Sequence, residues 1–282
     1  MLGIIGGTGL YQVDGLTVIK QHRIDTPFGA PSAPIIEGAF EGGRRLCFLP
    51  RHGEGHGFIP SEINYRANIW ALKSIGVRRV VSVSATGSLR QEIEPGDMVL
   101  VSQYFDHTRG KREYSFFGRG VVAHVSTARP SCPALSQDIT KAAEKSGLSL
   151  HTDKTYACVE GPRLGTAAES HFLRSANCDV VGMTNVPEAF LAREAQMAYA
   201  TLAIATDYDC WQDDPDQHVN ASDIIKLYME NIDKVKTLIR TLSALEPSKT
   251  PSWISDALAH SIITPHDKIP SEHLDWLNVL LK

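Results

Sequence analysis

The sequence predicts an α/β fold in which a central sheet is layered with helices. Short apolar runs that are typical of buried strands alternate along the chain with longer stretches at helical spacing. This alternation is characteristic of α/β layers. Hydrophobic residues make up 43% of the 282 residues, which is enough for one sizeable core.

The N-terminal half predicts four strands and one helix. The strands are predicted at residues 3–5, 46–49, 79–84 and 97–102, and the helix from Pro60 or Ser61 to about Ile75. Turns follow three of these strands, at Gly6-Gly7-Thr8-Gly9, at Arg51-His52 and at residues 85–88. In open α/β sheets, ligands collect at such strand ends.

The C-terminal half continues the alternation. Helices are predicted near residues 133–146, 166–176 and 187–196, with strands near 155–159, 179–183 and 199–206. Asn220 or Ser222 could cap a long helix that reaches about Leu245. One face of this helix is predicted to be apolar, with Ile224, Ile225, Tyr228, Ile232, Val235 and Ile239.

A change of composition after Glu246 divides the chain into two parts. We expect a catalytic domain over residues 1–246 and a C-terminal helical appendage over residues 247–282, packed on the same domain. The appendage is predicted to hold two short helical segments with apolar faces. The first face contains Trp253, Ile254, Leu258, Ile262 and Ile263; the second contains Leu274, Trp276, Leu277, Val279, Leu280 and Leu281.

Charge and cysteine usage argue against several classes of protein. The net charge is −4 and no run of lysine or arginine stands out, so we expect neither nucleic-acid nor membrane binding. The first residues lack a basic segment and a signal-peptide core, which favours the cytoplasm. The five cysteines form no CxxC pair, and we expect buried, reduced thiols rather than disulfides or a zinc site.

Three predicted strand ends carry chemistry that suits an anion. The turn Gly6-Gly7-Thr8-Gly9 can present backbone amides and a hydroxyl, Arg51-His52 adds a planar fork of donors, and Ser84 with Thr86 adds hydroxyls. Each also has an ordinary interpretation, as a tight turn or a solvated surface pair. The first turn lacks the third glycine of a dinucleotide fingerprint, which weakens the case for a nicotinamide-dependent oxidoreductase.

Asp207 and Asp209 leave the apolar run at residues 203–205 only two residues apart. A carboxylate next to an apolar core tends to hold its proton, and a second carboxylate nearby strengthens this tendency. A protonated acid can donate the proton that a departing basic group needs. The pair could instead cap a turn, and a metal site is a weaker alternative because no further ligands lie at a standard spacing.

Eight segments, taken together and in order, are highly specific. From residue 3 to about residue 245 the chain resembles the purine nucleoside phosphorylase family, and within it the enzymes that cleave S-methyl-5′-thioadenosine. The segments are Gly3-Ile4-Ile5-Gly6-Gly7-Thr8-Gly9-Leu10, Asp25-Thr26-Pro27-Phe28-Gly29, Arg51-His52-Gly53, residues 64–72, Gly87-Ser88-Leu89-Arg90, Glu160-Gly161-Pro162-Arg163, Met183-Thr184 with Val186-Pro187-Glu188, and residues 206–211.

The resemblance implies a single-domain nucleoside phosphorylase fold with a mixed central sheet flanked by helices, assembled as a homotrimer. It implies phosphorolysis to adenine and 5-methylthioribose 1-phosphate, with phosphate as co-substrate and no metal or organic cofactor. The implied phosphate-binding residues are Thr8, Arg51, His52, Ser84, Ala85 and Thr184. Met183 falls on the ribose position, Asp207 and Asp209 on the adenine. His124 falls in a neighbouring subunit's 5′ pocket, with Ala221, Ile224, Ile225 and Ile263 along the apolar methylthio pocket.

Three departures from the adenosine-type pattern keep a second substrate open. Gly182 replaces an asparagine, Leu164-Gly165 replaces a phenylalanine and a serine, and Tyr156-Ala157-Cys158 looks like the methylthioinosine-cleaving relatives. A 6-amino base needs an acceptor and a 6-oxo base needs a donor, so the two aspartates favour adenine. The alternatives are a methylthioinosine or general purine nucleoside phosphorylase and, more remotely, an oxidoreductase or a non-catalytic nucleoside-binding protein.

Overall fold

The computed structural model describes residues 1–7, 10, 15–212 and 221–282, with only the backbone of Ala221. Within these residues the chain forms nine strands and seven α-helices. The strands are β1 (Leu2–Gly6), β2 (Leu16–His22), β3 (Ile35–Phe40), β4 (Arg45–Pro50), β5 (Arg79–Ser88), β6 (Met98–His107), β7 (His151–Val159), β8 (Val180–Gly182) and β9 (Ala198–Asp207). The helices are α1 (Tyr65–Ser74), α2 (Pro133–Lys145), α3 (Ala167–Ser175), α4 (Asn185–Glu194), α5 (Ala221–Ala244), α6 (Ser252–Ser255) and α7 (Ser271–Leu281).

The strands form one mixed sheet in the order β2-β3-β4-β1-β5-β8-β7-β6-β9. An additional pairing of β5 with β9 closes the last five strands into a ring. Strands β1, β4, β5 and β9 run parallel, so their carboxyl ends lie at one edge. Every residue of β9 is buried, as expected for a central strand covered on both faces. The mixed sheet implied by the family resemblance is therefore present.

Helices cover both faces of the sheet, which confirms the predicted α/β layering. On one face α2 and α5 bury Leu135, Ile139 and Ile232 against Val81 and Leu202. On the other face α1, α4 and α7 pack against the sheet around Leu49 and Val80. Burial of one such side chain stabilises the fold by about 1.5–3 kcal/mol.

Two boundaries in the N-terminal half were predicted wrongly. The helix predicted from Pro60 begins at Tyr65, because the Asn64 side chain caps it by accepting from the Ala67 amide at 3.1 Å. The predicted turn at residues 85–88 is strand, because β9 and β8 continue to pair with β5 as far as Gly87 and Ser88. The helices predicted near 133, 166 and 187 are confirmed as α2, α3 and α4.

Strands β2 and β3 were not predicted. Strand β2 is mostly exposed at the sheet edge, so its sequence lacks the apolar signature of a buried strand. The predicted face of α5 is correct for Tyr228, Ile232, Val235 and Ile239 but wrong for Ile225, which is 61% exposed. The proposed cap Asn220 lies outside the described residues.

The C-terminal segment packs on the rest of the chain. Ile254 joins the core on the α5 side, and Trp276, Leu277 and Leu280 join the core on the α1 side. The Gln196 side chain donates to the carbonyl oxygen of Leu280 at 3.0 Å and accepts from the Leu258 amide at 3.0 Å. The predicted apolar faces are wrong for Trp253, Ile263 and Leu281, which are 41%, 62% and 43% exposed. No described helix has the length and apolarity that a bilayer crossing requires.

Candidate active site

The polar residues singled out in the sequence gather where the parallel strands end. Pro50 lies opposite Gly6, and the Arg51 amide donates to the Gly6 carbonyl at 2.9 Å. Ser84 lies opposite Ala203, three residues after Val81 passes Ile4. Strands β1 and β4 therefore end level with the middle of β5, near Ser84, and β5 and β9 continue side by side to Gly87 and Asp207. Thr8 lies outside the described residues.

Thr184 reaches Ser84 because β8 runs antiparallel to β5. Val181 pairs with Gly87, so the chain that leaves β8 returns along β5 towards Ser84. The two side-chain hydroxyl oxygens lie 3.5 Å apart, and both residues are buried. The Thr184 amide donates to the Tyr156 hydroxyl at 3.3 Å. Two hydroxyls from different elements thus face each other beside Ala85.

Arg51 is buried beneath this strand edge, and the surface-pair interpretation is wrong for it. Its guanidinium donates to both carboxylate oxygens of Glu188, at 2.8 Å and 3.0 Å, and to the Val83 carbonyl oxygen at 3.1 Å. The Glu188 carboxylate raises the pKa of Arg51 in spite of burial, so the charge is permanent. Glu188 also accepts from the Tyr199 hydroxyl at 2.8 Å. The Arg51–Glu188 ion pair thus lies against the middle of β5, where the guanidinium also donates to the Ser82 hydroxyl at 2.6 Å.

His52 is a neutral ring at neutral pH. Burial lowers the pKa of His52 to about 4. Its Nδ1 lies 2.8 Å from the Phe58 carbonyl oxygen, and its ring stacks on His56 with centroids 4.1 Å apart. Because a carbonyl only accepts, the neutral ring carries its hydrogen on Nδ1, and Nε2 is an acceptor.

Asp207 ends β9 with a buried carboxyl group. One oxygen accepts from the Asp209 amide at 2.7 Å and the other from the Thr206 hydroxyl at 2.8 Å. Burial raises the pKa of Asp207 more than these two hydrogen bonds lower it, and the Asp209 charge raises it further. The two aspartates do not share the face of an extended strand, because Asp209 has a φ of 52°. The turn-pair interpretation describes their local geometry, and it leaves a protonatable acid at the strand end.

Contacts with distant parts of the chain hold the acid turn, residues 207–211, in place, and one of them comes from Arg174, which no sequence motif indicated. The Trp211 indole donates to the Ser88 carbonyl oxygen at 2.9 Å, and the Arg174 guanidinium lies 3.7 Å from the Trp211 ring centroid. The Cys210 thiol donates to the Gly165 carbonyl oxygen at 3.4 Å. Arg174 lies 37 positions from Trp211 in the sequence, so no local pattern could reveal this contact.

Two glycines explain how Met183 and the neighbouring backbone fit. A β-carbon at Gly161 would overlap the Met183 thioether, which packs against the end of β7. A β-carbon at Gly182 would overlap the Tyr156 hydroxyl. The replacement of asparagine by Gly182 is thus coupled to Tyr156, because no side chain fits at position 182 while the tyrosine is present.

The residues expected near the 5′ substituent are not brought together with the others. His124 is exposed, and its amide donates to the Ser261 carbonyl oxygen at 2.9 Å. The Ile263 amide donates to the Val122 carbonyl oxygen at 2.8 Å, so the tail holds the segment that carries His124. Ile224 is half-buried and Ile225 exposed, and the Ala221 side chain lies outside the described atoms. Among the described residues, no cluster of His, Cys, Asp and Glu is arranged for a metal ion.

The chain is similar to proteins named S-methyl-5′-thioadenosine phosphorylase. One from Geobacter sulfurreducens is 44% identical over 281 residues, covering 100% of this chain and 98% of that protein. One from Bradyrhizobium diazoefficiens is 49% identical over 283 residues, covering 99% and 96%.

Solved structures agree with these relatives. A crystal structure of methylthioadenosine phosphorylase from an antarctic soil metagenomic library has a TM-score of 0.93 and 44% identity, covering 100% of this chain and 98% of that one. The Schistosoma mansoni methylthioadenosine phosphorylase in complex with adenine has a TM-score of 0.82 and 35% identity, covering 86% and 90%. The family model described as the phosphorylase superfamily matches residues 1–243. The chain belongs to the phosphorylase superfamily.

Proposed function

We propose that this protein catalyses the phosphorolysis of S-methyl-5′-thioadenosine to adenine and 5-methylthioribose 1-phosphate. Two groups of observations support the proposal. The relatives of nearly full length carry this activity in their names, and one related structure holds adenine. The observation that carries the chemistry is Asp207, a buried carboxyl with a raised pKa at the strand edge that also holds Ser84 and Thr184.

The reaction needs an attacking anion and a protonated leaving group. In our proposal a phosphate oxygen forms a bond to the anomeric carbon while the bond to the purine nitrogen breaks. The bonding electrons go to the base, and N7 takes a proton from Asp207, so adenine leaves neutral. The proton that phosphate loses on forming the ester restores the acid through solvent. Placing both reactants at one strand edge supplies much of the acceleration.

We assign phosphate to Arg51, His52, Ser84, Ala85 and Thr184, with Thr8 added from the resemblance. The buried Ser84 and Thr184 hydroxyls can donate directly, and the Arg51 guanidinium, paired with Glu188, lies next to Ser84 at Val83. The neutral His52 ring can accept the hydrogen of HPO₄²⁻ on Nε2. No cofactor enters this scheme.

We assign the nucleoside to the region beside the phosphate, where β9 ends at Asp207 and Met183 follows β8. Met183 packs on the ribose, and Asp209 accepts from the 6-amino group of adenine. His124, Ala221, Ile224 and Ile225 are assigned to the 5′ pocket, completed between subunits of a homotrimer. The exposure of His124 and Ile225 in one chain supports an assignment that needs a neighbouring copy. The proposal includes a single catalytic domain over residues 1–246 that carries the C-terminal appendage 247–282. It also places the protein in the cytoplasm, because five free cysteines fit a reducing compartment.

A 6-oxopurine substrate is the second candidate. The Tyr156–Gly182 pair excludes an asparagine side chain at position 182, and Leu164 is 48% exposed beside the acid turn that Gly165 contacts. These features match the methylthioinosine-cleaving pattern, whereas the Asp207–Asp209 pair favours a base that donates from its 6-position.

One assay separates the candidates. The protein is incubated with methylthioadenosine and, separately, with methylthioinosine, each with and without inorganic phosphate, and free base is measured. We expect adenine release that requires phosphate. Release from methylthioinosine alone would favour the second candidate, whereas no release from either substrate, together with NAD binding by fluorescence, would favour an oxidoreductase.

A further inference from the structure

Tyr228 has a buried hydroxyl without a hydrogen-bond partner among the described residues. It lies on the inner face of α5, where its ring packs with Ile232 and Leu10 in the core, and it is 8% exposed. The hydroxyl oxygen itself is buried. A buried hydroxyl that bonds to nothing destabilises a fold by about 1–3 kcal/mol, and phenylalanine would fill the same space without that cost. The sequence explains Tyr228 only as a core-facing residue of an amphipathic helix.

This hydroxyl is directed at the strand edge described above. It lies 3.9 Å from the point that a β-carbon at Gly7 would occupy, immediately after the end of β1. The neighbouring residue, Gly6, accepts from the Arg51 amide at 2.9 Å. Gly7 has no side chain, and the Tyr228 hydroxyl is the one atom of the described residues that a β-carbon at this position would approach.

The chemistry of the hydroxyl selects an anionic acceptor. Burial raises the pKa of Tyr228 to about 12, although the Arg51 charge lowers it, so the group stays a neutral O–H donor at physiological pH. An oxyanion suits such a donor, because a hydrogen bond to a charged acceptor is stronger than one to a neutral acceptor.

We infer that Tyr228 is a further phosphate-binding residue, whose hydroxyl donates to an oxygen of inorganic phosphate held beside Gly7. The inference rests on the proposed function, since it assigns a residue to that reaction's phosphate site. The described residues of the free protein offer this hydroxyl no partner, and phosphate supplies one.

The test compares Tyr228→Phe with wild type by thermal unfolding against inorganic phosphate, without nucleoside, and by steady-state kinetics. We expect the variant without phosphate to melt at the wild-type temperature or higher. Its phosphate Kd and its KM for phosphate should rise by about ten-fold to a hundred-fold, the scale of a hydrogen bond to a charged group. The KM for methylthioadenosine should stay unchanged.

Tyr65→Phe is the matched control, because the Tyr65 hydroxyl is buried and donates to the Pro60 carbonyl oxygen at 2.8 Å. It should lower the melting temperature and leave the phosphate Kd unchanged. The inference is overturned if Tyr228→Phe binds phosphate as wild type does, or if it melts as low as the control without phosphate. If phosphate does not stabilise the wild type at all, the proposed function fails with it.

Discussion

At the scale of single residues, opposing effects of its neighbours and of burial set the protonation state of the Asp207 carboxyl group. The Thr206 hydroxyl and the Asp209 amide stabilise the charged carboxylate, while burial and the Asp209 charge disfavour it. Burial wins, so the folded protein keeps the proton to a higher pH than an exposed aspartate would. A general acid needs this property, because it must be protonated when the base leaves.

Asp207→Asn removes the proton donor and keeps the size of the side chain. We expect kcat for adenine release to fall by about two to four orders of magnitude, the range for loss of general acid catalysis. In the wild type, activity should decline as pH rises through the raised pKa, and this alkaline limb should disappear in the variant. Rates from pH 5 to 10 check both points. Normal cleavage by Asp207→Asn would refute the assigned role.

Glu194 links stability to pH away from the site. It accepts from the Ser115 hydroxyl at 2.7 Å and the Phe116 amide at 2.8 Å, yet burial raises its pKa to about 7. Between its ordinary value of 4.5 and about 7 the folded state holds a proton that the unfolded state releases. The contribution of Glu194 to the free energy of unfolding is therefore complete below pH 4.5 and is lost as the pH rises through 7.

Glu194→Gln should flatten this part of the stability profile. The wild-type free energy of unfolding should lose on the order of 3 kcal/mol more than that of the variant between pH 4.5 and 7.5. Urea unfolding at several pH values measures the difference. Parallel profiles for the two proteins would show that Glu194 titrates alike in the folded and unfolded states.

At the scale of elements, the site depends on how closely β5 approaches the acid turn, which carries Asp207 and Asp209. A β-carbon at Gly87 would lie 3.0 Å from an Asp207 carboxylate oxygen and 3.1 Å from the Asp209 β-carbon. Strand β5 is also paired on both sides there, with Asp207 and with Val181. Neither neighbour can retreat freely, so the acid turn has to shift if position 87 gains a side chain.

Gly87→Ala should therefore damage catalysis more than stability. We expect kcat to fall by about ten-fold to a hundred-fold, since small displacements of a catalytic group are costly. Phosphate affinity should stay near wild type, because Ser84 lies three residues further back along β5, with the Thr184 hydroxyl beside it. Single-turnover rates and phosphate titration separate these effects, and an unchanged kcat would mean that the turn adapts.

Local patterns predicted much of this architecture, and together with the family resemblance they selected the residues of the candidate site, whose roles stay predictions. The buried strands and α2 to α4 were readable because their apolar spacing is local, and Arg51 and Asp207 because they follow such strands. The closure of β5 on β9, the return of β8 to Ser84 and the Arg174–Trp211 contact join distant parts of the chain. No window of sequence contains both partners of these contacts.

At the scale of the whole molecule, the C-terminal segment belongs to the core. Truncation after Ser248 would remove Ile254, Leu258, Trp276, Leu277 and Leu280, all of which are buried. At about 1.5–3 kcal/mol each, their loss rivals the 5–15 kcal/mol that stabilises a typical domain. We expect the truncated chain to be unfolded or aggregated at 25 °C by circular dichroism. A folded truncated protein would instead allow its preference for methylthioadenosine over adenosine to be measured, and a narrowed preference would support a tail that closes the 5′ pocket.

The proposed homotrimer makes a prediction that a self-contained subunit does not. His124 is exposed on a segment held by Ser261 and Ile263, whereas Asp207 is buried at the strand edge. If His124 serves a neighbour's 5′ pocket, His124→Ala and Asp207→Asn inactivate different halves of each site. Co-refolding equal amounts should restore about a quarter of the sites, since each interface pairs the subunits at random. Activity is compared with each variant refolded alone, and mixtures that never exceed the average of the two would place His124 in its own subunit's site.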